Sequence, residues 1–70
     1  MANVISNMAG NVWKVIVNTG DEVASGQEVV ILESMKMEIP IEAETKGVVK
    51  GLKTEEGAFV NEGDILLELE

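Results

Sequence analysis

Lys36 stands between two methionines in the run Glu33-Ser34-Met35-Lys36-Met37-Glu38, and it is the only lysine between positions 15 and 45. An isolated lysine offers a flexible amine on a four-carbon stem that other proteins readily modify. A free lysine amine is almost wholly protonated at neutral pH, so it is neither a base nor an unassisted nucleophile. Another catalyst must deprotonate it and deliver an activated acyl group. The chemistry that suits this residue is that of an acceptor. A plainer reading has Met35 and Met37 filling a gap in the core and Lys36 as an ordinary solvated lysine. Spacing alone weighs the two readings about equally.

The rest of the chain offers little competing chemistry. Its 70 residues include no Cys and no His, which removes disulfides, thiolate metal sites, the usual zinc ligand and the usual general base. No acidic loop has the spacing of an EF-hand. Ser6, Ser25 and Ser34 have no base near them in sequence, and the glutamates are spread as a solvated face would be. The chain is therefore not expected to be an enzyme. Five Lys oppose thirteen acidic residues, for a net charge of −8. Such a surface repels nucleic-acid phosphates and anionic lipid. It suits a partner with a basic docking face, although solubility alone would account for it. No apolar run reaches membrane-spanning length. The start, Met1-Ala2-Asn3-Val4-Ile5-Ser6-Asn7, lacks the basic and apolar regions of a signal peptide, so a cytoplasmic location is expected.

The elements that must position Lys36 emerge from an internal repeat. Residues 10–33 align without a gap on residues 47–70, at a shift of 37, with seven identities among 24 positions: Gly10/Gly47, Val12/Val49, Gly20/Gly57, Val23/Val60, Gly26/Gly63, Leu32/Leu69 and Glu33/Glu70. Two copies are too few for a solenoid, so one closed domain over residues 1–70, built from two related halves, is expected. Each half reads as a β-rich run, a glycine turn, a short piece with one buried valine, a second glycine turn and an apolar strand. Val12/Val15 and Val49/Leu52 are spaced by three, which a flat strand cannot bury on one face, so each half is expected to contain a bulge. Trp13 is expected to cover one edge of the core.

Residues 37–43 read as a further strand, with Ile39 and Ile41 on one face and Glu38 and Glu42 on the other. Pro40 lacks a donor and places this strand at a sheet edge. The repeat also pairs Val4 with Ile41, which makes the first strand its equivalent. The sum is two antiparallel sheets of four short strands each. Strands 29–33 and 37–42 must be joined by a very short turn centred on Met35-Lys36. Tight hairpins favour Asn-Gly or Asp-Gly there. If this turn has the favoured form, two residues bearing a Cβ are forced to positive φ. Local grammar tends to break where function intervenes.

Glu33-Ser34-Met35-Lys36-Met37-Glu38 resembles the Glu-Ala-Met-Lys-Met signature of biotinyl domains, with Ser34 in place of the usual Ala. The resemblance continues through Gly10-Asn11-Val12, residues 20–27 and residues 57–64, and covers about residues 4–70. It implies an all-β flattened barrel-sandwich with quasi-two-fold symmetry and the attachment lysine on a hairpin turn. It implies that Lys36 receives biotin from a biotin ligase through biotinyl-adenylate. Met35 and Met37 match the methionines that favour this ligase over lipoylating enzymes, and Glu33, Ser34 and Glu38 flank the hairpin. It further implies a swinging arm for CO₂, serving biotin carboxylase and carboxyltransferase components, on a monomeric carrier. The chain resembles the free-standing biotin/lipoyl attachment proteins of some bacteria, a group linked to both biotin and lipoate, more than it resembles a subunit of acetyl-CoA carboxylase. A lipoyl carrier and an unmodified interaction module on the same scaffold are the competing readings.

Overall fold

The computed structural model describes residues 2–70, which form eight strands. They are β1 (Ala2–Ile5), β2 (Gly10–Val15), β3 (Glu22–Val23), β4 (Glu28–Ser34), β5 (Met37–Glu42), β6 (Gly47–Leu52), β7 (Phe59–Val60) and β8 (Ile65–Leu69). Two four-stranded antiparallel sheets result, ordered β1-β8-β6-β3 and β5-β4-β2-β7. Their inner faces close over one apolar cluster centred on Val29, Val30, Leu32, Leu66 and Leu67, none of which reaches solvent. Burying one such side chain contributes roughly 1.5–3 kcal/mol, so the stability of this short chain rests on this layer. Among the described residues no helix is long and apolar enough to cross a membrane.

The repeat is the symmetry of the fold. The shift of 37 carries β2 onto β6 and β3 onto β7, and it exchanges the two sheets. Backbone hydrogen bonds between the halves come in matched pairs. Gly20 N–H donates to Val49 O and Gly57 N–H donates to Val12 O, both at 2.8 Å. Gly26 N–H donates to Ala43 O at 2.7 Å, and Gly63 N–H to Ser6 O at 2.8 Å. Gly20 and Gly57 take φ of 96° and 91°, a region that side chains disfavour, so identical turns explain identical residues. Ser6 and its twin Ala43 are both buried, and the Ser6 hydroxyl is satisfied by donating to the Met8 carbonyl.

Both expected bulges are present. Pairing slips between Val12 and Lys14 in β2 and between Val49 and Gly51 in β6. Their effect on burial is smaller than the spacing suggested. Val12 and Val49 are buried and Val15 is half-buried, but Leu52 remains partly exposed where β6 ends. Trp13 also departs from expectation. As the residue skipped by the β2 bulge it lies outside the core, with the Lys14 ammonium 5.3 Å from its ring centroid. Pro40 sits in the edge strand β5, as its missing donor requires, and Ile41 on that strand is buried.

Candidate functional site

The longest ladder in the molecule supports Lys36. Strands β4 and β5 pair from Glu28↔Glu42 to Ser34↔Met37, and only Met35 and Lys36 remain to turn the chain. These two residues have φ of 52° and 65°. Positive φ at both central positions defines the type I′ turn, whose twist matches the strands it joins. Neither residue is Gly, Asn or Asp, so each conformation costs on the order of 1–3 kcal/mol unless its surroundings enforce it. The enforcement comes from the root of the hairpin. Leu32 opposite Ile39 is buried, and Ile41 two residues on is buried as well.

The tip is bare. Met35 is 92% exposed and Met37 61% exposed, so neither methionine fills the core. Lys36 is exposed, and the only salt bridge among the described residues, Lys53 to Glu68 at 3.6 Å, lies elsewhere. Glu33 and Glu38 are exposed and directly opposed across the ladder, and Ser34 is half-buried. The structure thus gathers Glu33, Ser34, Met35, Lys36, Met37 and Glu38 on one hairpin. With no His or Cys in the chain, neither an imidazole nor a thiol accompanies them. Among the described residues no cluster of acidic groups is arranged to hold a metal ion.

Gly10 belongs to the site, although the sequence marked it only as a repeat identity and a point of family resemblance, with no contact to the hairpin. A Cβ at Gly10 would lie 3.0 Å from the Glu33 carbonyl oxygen and 3.5 Å from the Ser34 Cβ. Its lack of a side chain lets β2 abut the hairpin root and hold it square. Gly47 repeats this contact against Glu70 and Leu69. The symmetry explains why. The pair Leu32↔Ile39 at the hairpin root has Leu69↔Ala2 as its twin, so the fold exchanges the Lys36 hairpin with the chain termini. Lys36 therefore stands at the end of the sandwich opposite the Ala2↔Leu69 pair.

A family model described as "Biotin-requiring enzyme" matches residues 1–69. The chain belongs to this biotin/lipoyl attachment family. It is 68% identical over 62 residues to the biotin/lipoyl attachment protein of Bacillus subtilis, covering 89% of this chain and 85% of the relative. It is 46% identical over 65 residues to the human mitochondrial propionyl-CoA carboxylase alpha chain, covering 93% of this chain but 9% of the relative. The solved structure of Kluyveromyces lactis urea carboxylase superposes with a TM-score of 0.91 at 30% identity, over 99% of this chain and 6% of that one. The biotin/lipoyl attachment fold thus occurs both at nearly the length of this chain and as a small part of much longer carboxylases. The two-sheet sandwich and its symmetry agree with the architecture expected from the sequence.

Proposed function

We propose that this protein is a biotin carrier, modified on Lys36 by a biotin ligase and serving biotin-dependent carboxylation. One observation carries the reading: the amine stands on a strained, exposed two-residue turn, flanked by two exposed methionines that take no part in the apolar core. A solvated lysine needs no such mounting, and core-filling methionines would be buried. The family match and the carboxylase relatives supply the identity of the group. The residues fit it, because an unpaired amine at a bare tip is what an amide to a carboxylic acid requires.

The chain itself performs few steps. Lys36 Nζ, deprotonated within the ligase site, attacks the carbon of an activated carboxyl; the C–N amide bond forms as the C–O bond to the activating group breaks, that group leaves, and the nitrogen gives up a further proton. Met35 and Met37 present the apolar flanks by which the ligase reads the tip. The rigid β4–β5 ladder fixes the direction of the arm. Once bound, biotin supplies the atom that accepts and releases CO₂, so bond making lies outside this chain. Tethering converts the encounter with a second active site into an intramolecular one, with an effective concentration of order mM. The partners are a biotin ligase and the biotin carboxylase and carboxyltransferase components of a carboxylase, with the carrier acting as a monomer.

Intact mass spectrometry after separate incubation with a biotin ligase and with a lipoate ligase tests the assignment. One biotinyl addition and no lipoyl addition are expected. A lipoyl addition alone would identify the carrier of the other cofactor, and no addition from either would favour the interaction-module reading.

A further inference from the structure

The two halves share a backbone but not a surface. Ile5 and Ile65 form a cross-strand pair on the outside of one sheet, with Ile5 50% exposed. Their twins in the other sheet, Glu42 and Glu28, pair in the same way. Phe59 in β7 is 62% exposed, and its twin in β3 is Glu22. Leu52, Phe59 and Ile65 line one open groove where the chain crosses between the sheets. Around the symmetry axis, three glutamates thus occupy positions that on this side are Ile5, Phe59 and Ile65. The backbone accepts glutamate at each of these positions, so the fold does not demand the apolar residues.

The apolar side is also the Lys36 side. Phe59 pairs with Asn11, Asn11 with Glu33, and Glu33 with Glu38, in one outward row running from the groove to the hairpin root. Val60 pairs with Gly10, the residue that abuts Ser34. The glutamate twins belong to the terminal end. A contiguous exposed apolar patch rimmed by polar groups marks an interaction site.

On this basis, and resting on the carrier reading above, we infer that the Ile5–Leu52–Phe59–Ile65 surface is the docking site of the enzyme that acylates Lys36. That enzyme alone meets the protein before any arm exists, so it must grip the body. Later partners can take the cofactor at the end of the arm. The rim specifies the partner's chemistry. Glu55 and Asp64 border the groove, Glu33 and Glu38 continue the row, and Lys53 is paired with Glu68. The matching ligase face presents apolar side chains ringed by Lys or Arg, because opposite potentials fix register and speed encounter.

The test is the steady-state kinetics of Lys36 biotinylation in the full chain, with folding checked by circular dichroism melts. Phe59→Glu/Ile65→Glu installs the residues of the twin. It raises KM by about tenfold or more and leaves kcat within about twofold, as loss of a docking anchor does. Glu22→Phe/Glu28→Ile, at the terminal end, leaves both constants unchanged. Should the double variant unfold, Phe59→Ser shows the same KM-selective rise of about threefold or more. A folded variant with wild-type KM overturns the inference while leaving the carrier reading intact. So does a wild-type KM accompanied by impaired CO₂ transfer after biotinylation, which reassigns the surface to a carboxylase component. A wild-type protein that accepts no biotin overturns both readings together.

Discussion

Met35 and Lys36 occupy adjacent left-handed positions, at φ of 52° and 65°, in a turn that glycine and asparagine would form with less strain. The sequence forgoes that relief at the turn that mounts Lys36.

Replacing Met35 by Asn separates the two demands. Asn tolerates positive φ, so the variant gains about 1 kcal/mol, which for a chain of this size raises Tm by roughly 4–8 °C. It should also be biotinylated more slowly, because an apolar flank is lost. Thermal melts and ligase progress curves measure the two effects. A more stable variant modified at the wild-type rate would deprive Met35 of its recognition role.

Glu33 and Glu38 oppose each other directly at the hairpin root. Like charges in that arrangement are destabilising by roughly 0.2–1 kcal/mol. Glu38→Gln should therefore stabilise the fold slightly, as read by urea denaturation, while lowering the ligase association rate at low salt. Salt should narrow that rate difference, since screening weakens the steering of exposed charges. A rate difference independent of salt would rule out electrostatic steering.

Much of this arrangement was legible in the sequence. The shift of 37 exposed the two-fold, Pro40 named its edge, the three-residue spacings announced both bulges, and the short loop forced positive φ on Met35 and Lys36. What periodicity could not reveal is whether a given face is covered. Trp13 and Leu52 look like core residues one strand at a time, yet the bulge skips one and β6 ends on the other. The role of Gly10 required knowing which strand lies against the hairpin. The apolar groove became meaningful only when each half could be compared with its twin in space.

Gly10 offers a structural test. A methyl group there meets the Glu33 carbonyl oxygen at 3.0 Å, and a backbone atom must move to admit it. Gly10→Ala should destabilise by about 1–3 kcal/mol and loosen the hairpin root. Amide exchange at residues 33–38 is the reporter, with faster exchange expected. Unchanged protection would mean that the root does not depend on this contact.

Gly20→Val tests the turns between the halves. Its φ of 96° suits no β-branched residue, so a loss of about 1–3 kcal/mol is expected. The empty space around its Cβ position assigns that loss to backbone strain and not to collision. Gly20→Asn, which tolerates positive φ better, should recover part of it. Equal melting of all three proteins would remove the strain argument.

Peptide mapping of the full chain, in protein isolated from cells with active biotin ligase, addresses the carrier assignment most directly. Biotin is expected on Lys36 and on no other lysine. Lys36→Arg is expected to abolish streptavidin binding with little change in melting temperature. Biotin on Lys14, Lys46, Lys50 or Lys53, or streptavidin binding that survives Lys36→Arg, would overturn the assignment.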